Sequence, residues 1–284
     1  MLRPIREWRV GGRRLRLGDR TWLMAVLNLT PDSFYAASRL AGAEAALAAA
    51  AAAREAGADI LDLGAESTRP GAAPLAPEAE RERLLPALAA IRQRFPEALI
   101  SVDTRHAATA RAALAAGADI VNDVAGLEDP ALAELVRASG CGVVLMHRRG
   151  DFATMHRLPP LEDPAARVRQ GLADLLARAQ AAGVAAEQIV LDPGFGFGKN
   201  LRENYPLFAR FADWHAFARP LLAGVSRKSF LGEVLGGAPP DQRLFATVAA
   251  VTAAILAGAH IVRVHDVAPC RDAARVADAI LAAG

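Results

Sequence analysis

Two carboxylates and an amide, Asp103, Asn122 and Asp192, lie far apart in the chain, yet each sits at the end of a short apolar run. Brought together, they suit a flat heterocycle with several N–H donors and a carbonyl, because buried polar groups require matched partners. A second set is basic: Arg69, Lys228, Arg263 and His265. Arg grips phosphate oxygens through parallel hydrogen bonds and Lys acts as a point charge, so this set suits a ligand with phosphate groups. Asn28 adds a neutral oxygen, a hard ligand of the kind Mg²⁺ takes. No Ser-His-Asp or Cys-His nucleophile set stands in motif form, so covalent catalysis is not favoured.

Something must carry these residues to one place. Short, nearly continuous apolar runs recur along the chain, each followed by a polar loop and an Ala-rich stretch. The runs read as parallel strands covered on both faces: 22–29, 59–64, 98–102, 120–124, 142–146, 188–191, 220–225 and 261–264. Helices read over 43–56, 77–95, 106–116, 130–139, 164–182, 242–257 and 269–283. Three helix ends repeat one phrase, Ala-Gly-Ala-Asp-Ile at Ala56 and Ala116 and Ala-Gly-Ala-His-Ile at Ala257. Gly there closes a helix in the left-handed region, and a strand begins at once. Eight alternating βα units predict a closed (β/α)8 barrel, an α/β fold in one domain spanning residues 1–284. Residues 1–20 read as a hairpin turning at Gly11-Gly12 and covering the barrel bottom.

In such barrels chemistry gathers where the strands end, and here every strand delivers a carboxylate, amide or cation to that rim. Taken singly, many have simpler roles. Asp103 reads equally as a helix N-cap, Asn122 as an amide tying strands, and His147 as a core histidine. Arg105 and Arg227 read as rim ion pairs, Asp123 and Asp266 as structural groups. Eight strand ends sharing this feature weigh against that reading for all of them.

Composition narrows the class. Of 284 residues 53% are hydrophobic, enough for a large core, and 33 basic against 31 acidic residues leave a net charge of +2. That balance gives no reason to expect nucleic acid. Cys141 and Cys270 are too few for a disulfide framework and read as buried thiols. No membrane span and no apolar signal core is visible, so a soluble cytoplasmic protein is expected.

Eight phrases run through the chain in order: LNLTPDSF at Leu27, ESTRPGA at Glu66, SVDT at Ser101, NDV at Asn122, MHRRG at Met146, DPGFGFGK at Asp192, SRKS at Ser226 and RVHDV at Arg263. Together they resemble the dihydropteroate synthase family over nearly the whole length. ESTRPG, DPGxGFGK and RVHDV are specific in combination; SVDT and NDV alone are weak. The resemblance implies joining of 4-aminobenzoate to (7,8-dihydropterin-6-yl)methyl diphosphate, giving 7,8-dihydropteroate and diphosphate in folate synthesis. It implies pterin binding by Asp103, Asn122, Asp192 and Lys228, an Mg²⁺ cofactor on Asn28, and a diphosphate anchor of Arg263 and His265. Thr68 and Pro70, flanking Arg69, would close over 4-aminobenzoate, whose pocket would include Phe197, Lys228 and Ser229. Sulfonamides would compete there, and the family commonly forms homodimers.

The first loop departs from the family pattern. After TPDSF the usual Ser-Asp-Gly-Gly is replaced by Tyr35-Ala36-Ala37-Ser38, followed by Arg39. Losing Gly stiffens a loop, and Arg39 reads first as a solvated side chain and otherwise as a further contact for diphosphate. Two other readings share the same motifs: a pterin-binding paralogue without this catalysis, and a pterin-dependent methyltransferase. The second is opposed by ESTRPG, by SRKS and by the lack of a partner domain in this chain.

Overall fold

The computed structural model describes residues 3–29, 39–66, 75–152 and 154–283. Two strands, β1 (Arg6–Val10) and β2 (Arg13–Leu17), form an antiparallel hairpin. Eight more follow: β3 (Trp22–Asn28), β4 (Ile60–Gly64), β5 (Leu99–Asp103), β6 (Ile120–Asp123), β7 (Gly142–Met146), β8 (Ile189–Asp192), β9 (Leu222–Ala223) and β10 (Ile261–Val264). They pair in parallel in the order β8-β7-β6-β5-β4-β3-β10-β9. A parallel bridge from Leu191 to Leu221 joins the two ends, so the sheet closes into a (β/α)8 barrel. The seventh barrel strand, β9, is shorter than the 220–225 expected. Pro220 has no N–H to give the ladder, and its carbonyl alone is used, by the Leu191 amide at 3.0 Å.

Helices surround the strands: α1 (Arg39–Glu55), α2 (Pro77–Arg94), α3 (Ala107–Ala115), α4 (Pro130–Ser139), α5 (Pro164–Ala181), α6 (Tyr205–Ala209), α7 (Ser229–Val234), α8 (Leu244–Leu256) and α9 (Val267–Ala283). Pro in the first turn of α2, α4 and α5 costs no hydrogen bond, and the Asp129 and Asp163 side chains cap α4 and α5. Between β8 and β9 lies α6 with two 3₁₀ turns, Arg202–Asn204 and Phe211–Phe217. The sequence showed no helix there because the segment is aromatic rather than Ala-patterned. Phe195, Phe208 and Phe211 pack together with Phe230 of α7.

The repeated helix-end phrase does more than turn the chain. Gly57, Gly117 and Gly258 hold φ of 99°, 99° and 103°. The residue two places on then pairs with the neighbouring strand through both its backbone and its side chain. Asp59 accepts the Leu23 N–H at 2.9 Å and gives its own N–H to the Leu23 carbonyl. Asp119 does the same with Ile100, and His260 with Leu221 through Nδ1. Each joint thereby satisfies a strand N–H that the barrel ladder leaves over.

Side chains alternate across a strand, so one inward residue fixes the rest. At the N-terminal end, Met24, Ile60, Leu99, Ile120, Val144, Val190, Leu222 and Ile261 share one cluster with Trp8, Val10 and Leu17 of the hairpin. Each barrel strand gives one residue. Trp8 is wholly shielded from solvent and its indole N–H donates to the Gln188 carbonyl at 2.7 Å. This apolar layer closes one end of the barrel and fixes which face of each strand looks inward.

Candidate active site

Two residues beyond that layer, the inward positions are Val26, Asp62, Ser101, Asn122, Met146, Asp192, Gly224 and Arg263. Two further on come Asn28, Gly64 and Asp103. Strand register confirms the ring: Asn28 lies beside Gly64, Gly64 beside Asp103, and Asp103 beside Asn122. The alternation thus turns Asn28, Asp103, Asn122, Asp192 and Arg263 to one interior wall. Gly64 keeps the wall open; a Cβ there would come within 3.3 Å of the Asp103 Cβ.

Lys228 and Ser229 arrive from the loop after β9. Lys228 occupies the N-cap of α7 and its Nζ lies 4.0 Å from the centre of the Phe197 ring. Gly196 lies beside it at φ 79°, and a Cβ there would make only an ordinary contact with the Lys228 Cδ, at 3.4 Å. Ser229 begins α7 and is exposed. His265 follows β10. The Ser226 Oγ accepts the His265 backbone N–H at 3.2 Å and lies 3.0 Å from Nδ1. Its own hydrogen is free to go to Nδ1, which leaves the ring proton on Nε2. Thr68, Arg69 and Pro70 fall outside the described residues, as do residues 30–38 of the first loop and the side chain of Arg39.

The wall is held by one residue that sequence reasoning passed over. Asp62 is fully buried. Its Oδ2 accepts from the Arg263 Nε at 2.6 Å and from the Asn122 Nδ2 at 3.2 Å. The Arg263 Nη2 donates to Asp103 at 2.8 Å. Arg263 therefore stands between two carboxylates, its guanidinium fixed on two edges. The signal for Asp62 was in the sequence: it stands two residues from Ile60 and four before Glu66, on the inward parity of its strand.

Burial sets the protonation of the wall. It pushes the Asp103 carboxyl up to about 7, with Arg263 pulling the other way. Asp192 is likewise raised by burial, against the Gly194 N–H and Lys228. Lys228 is pushed down to about 8 by burial, opposed by Asp192. His265 is lowered to about 3 by burial and then by Arg263, so it is neutral at physiological pH and offers a hydrogen bond rather than a charge.

Around the mouth the simpler roles hold for several residues. Arg105 pairs with both oxygens of Glu66, which also accepts the Leu75 N–H. Arg227 pairs with both oxygens of Asp266, with φ at 58°. Asp123 accepts the Ala125 and Leu127 N–H groups. His147 is buried, its pKa lowered by desolvation. The N-cap reading of Asp103 fails: α3 is capped at His106 without any side-chain bond. Lys199 is buried among the carbonyls of His147, Pro193 and Gly194, 2.7 to 3.0 Å away, and ties the loops after β7 and β8.

Among the described residues no group of three or more His, Cys, Asp or Glu is arranged to hold a metal. Asn28 supplies one inward oxygen donor at the wall's upper edge. Mg²⁺ takes oxygen ligands and commonly keeps water and phosphate oxygens among them, so Asn28 would hold it there only together with such oxygens.

A barrel whose mouth carries matched acceptors and donors for a nitrogen heterocycle defines a class, and the comparisons agree. Residues 24–265 match the family model described as pterin binding enzyme. The chain is 44% identical over 261 residues to the dihydropteroate synthase of Escherichia coli K12, covering 92% of each chain. The Yersinia pestis dihydropteroate synthase, solved with a sulfonamide drug, superposes with a TM-score of 0.90 at 39% identity, covering 97% of this chain and 99% of that one. The Burkholderia cenocepacia enzyme, solved with 7,8-dihydropteroate, gives 0.87 at 40%, with 99% and 98% covered. The chain belongs to the pterin binding enzymes and, within them, to the dihydropteroate synthase family of transferases, which act in folate synthesis.

Proposed function

We infer that the chain joins 4-aminobenzoate to the methylene carbon of (7,8-dihydropterin-6-yl)methyl diphosphate, in the site walled by Asp103, Asn122, Asp192, Lys228 and Arg263. The observation that carries the assignment of residues is the single interior ring formed by four of these side chains, with Lys228 reaching it over Phe197. Asp192, Asn122 and Asp103 accept the N–H groups of the ring, and Lys228 donates to its carbonyl.

The leaving group is good and the ring is electron-rich, so the carbon–oxygen bond to diphosphate breaks ahead of attack. The arylamine nitrogen then forms the new bond to the methylene carbon and gives up one proton, to the departed diphosphate or to water. No strong base is needed. The wall's task is to hold the ring and to offset its growing positive charge. Asn28 would hold Mg²⁺, which would supply charge stabilisation for the departing diphosphate. His265 adds an N–H donor there, and Arg263 its remaining edge. Ser229 and Phe197 lie where the arylamine would enter, and the loop of Thr68, Arg69 and Pro70 would cover it. Sulfonamides compete for that place.

The chain acts in the cytoplasm and as a homodimer in this reading. No helix among the described residues is long and apolar enough to cross a membrane. Phe245, Val276 and Ile280 on the outer helices are 86%, 61% and 53% exposed, apolar area of the kind a second subunit covers. Sedimentation equilibrium would test the dimer. A steady-state assay with both substrates, with and without Mg²⁺, tests the reaction: dihydropteroate and diphosphate should appear in equal amounts. Pterin binding without diphosphate release would refute it.

A further inference from the structure

We propose that Asp62 is a positioning residue that sets the hydrogen-bond polarity of the pterin-facing wall, and so decides which edge of the ring can be read there. A carboxylate only accepts hydrogen bonds. The Asn122 amide, 3.2 Å away through Nδ2, must therefore turn its NH₂ inward to Asp62. What remains for the ligand is its carbonyl oxygen. An amide has nearly the same shape either way round, so without Asp62 nothing at this contact chooses between donor and acceptor.

The same oxygen fixes Arg263. With Nε on Asp62 at 2.6 Å and Nη2 on Asp103 at 2.8 Å, the guanidinium plane cannot rotate. Asp103 in turn keeps one oxygen occupied. A single buried side chain thus orients Asn122 directly and Asp103 through Arg263. Asp62 itself sits below the ring position, fully buried, with Oδ1 unpartnered among the described residues. The consequence is specificity. A ring presenting N–H to Asn122 is accepted; a tautomer or analogue presenting a lone pair there meets a lone pair and is rejected.

The inference rests on the pterin reading of the site, and the test separates the two. Dissociation constants for 7,8-dihydropteroate are measured by calorimetry for the full-length wild type, Asp62→Ala, Asn122→Ala and the double variant. Wild-type binding of 7,8-dihydropteroate tests the reading; the cycle tests Asp62. Asp62→Ala removes the acceptor and lets Asn122 bond either way round. It should weaken 7,8-dihydropteroate binding by about tenfold or more while the KM for 4-aminobenzoate stays near its wild-type value. In the Asn122→Ala background the same substitution should cost much less, since part of its target is gone. Additive losses, an equal rise in the 4-aminobenzoate KM, or unchanged binding in Asp62→Ala would overturn the proposal. If Asp62→Ala does not fold, Asp62→Ser takes its place under the same criteria. Failure of both to fold would assign Asp62 to barrel stability alone and end the proposal.

Discussion

Asp192→Asn should damage activity and stabilise the fold. The Asp192 Oδ1 accepts the Gly194 N–H at 2.7 Å; an Asn oxygen keeps that bond. The other oxygen faces Gly224, where even an added Cβ would stay 3.6 Å away, and so is open to the ligand. Asn puts an NH₂ there, facing ligand N–H groups. One or two hydrogen bonds to a charged acceptor are lost, at ~1.5–3 kcal/mol each. A drop of about 10- to 10⁴-fold in kcat/KM follows. Stability moves the other way. Burial raises the carboxyl above its ordinary value of 3.8, so the folded chain holds its proton to higher pH than the unfolded one. At neutral pH the charge opposes folding, a penalty that grows as pH rises from 3.8 toward the folded value. Asn removes it, and each ~1 kcal/mol regained raises Tm by about 2–4 °C in a chain of this size. Turnover is followed by diphosphate release and Tm by calorimetry at pH 7. Near-normal kcat/KM would remove Asp192 from the site. A fall in Tm parallel to the loss of activity would make it a structural residue instead.

Lys228 loses its proton near pH 8, so kcat/KM should fall above that pH as the donor to the ring carbonyl loses its charge; a profile flat to pH ~10, near the usual lysine value, would refute the assignment. His260 is buried, accepts the Leu221 N–H at Nδ1 and donates from Nε2 to the Pro4 carbonyl at 2.8 Å, and burial lowers its pKa to about 3. The unfolded chain takes up this proton first, so stability falls as pH drops through 6.5, by ~2 kcal/mol at pH 5 at ~1.4 kcal/mol per unit. His260→Gln should flatten the slope of denaturation midpoint against pH between 5 and 6.5, and an unchanged slope would clear His260. Diphosphate alone should bind weakly without Mg²⁺, because Arg263 is already paired and His265 is uncharged; tight binding in chelator, by calorimetry, would contradict this.

The barrel was legible because its signals are local. Apolar runs such as Gly142–Met146 and Ile261–Val264 fall where the strands do, and Ala-Gly-Ala marks three joints. The pieces that escaped depend on contacts remote in sequence. Residues 205–217 form helical turns because Phe195 and Phe230 give their aromatic rings a place to pack, which no window of sequence contains. Asp62 escaped for a different reason. Inside Ile-Leu-Asp-Leu-Gly it looks like an isolated charge in an apolar strand. Its partner Arg263 lies 201 positions away. The rim residues Arg105 and Arg227 were chemically ambiguous, and only the placement of Glu66 and Asp266 beside them resolves which charges are free.

That resolution changes how the site's electrostatics should be understood. The sequence reads as a mouth with two sets, carboxylates and an amide for a ring and cations for phosphate. Folded, the wall sets three carboxylates, Asp62, Asp103 and Asp192, against Arg263 and Lys228, with His265 neutral. Such a wall holds a neutral ring well and a cationic ring better. In the proposed reaction diphosphate departure makes the ring cationic, so the attraction grows toward the transition state and not before it, the condition under which binding accelerates a reaction. Burial then poises Asp103 near 7. Protonated, it would lose both its grip on Arg263 and its part in offsetting the ring charge. Asp103 and Asp192, raised by burial, thus cost stability in the empty barrel and give selectivity for the moment at which, in the proposed reaction, the pterin carries charge.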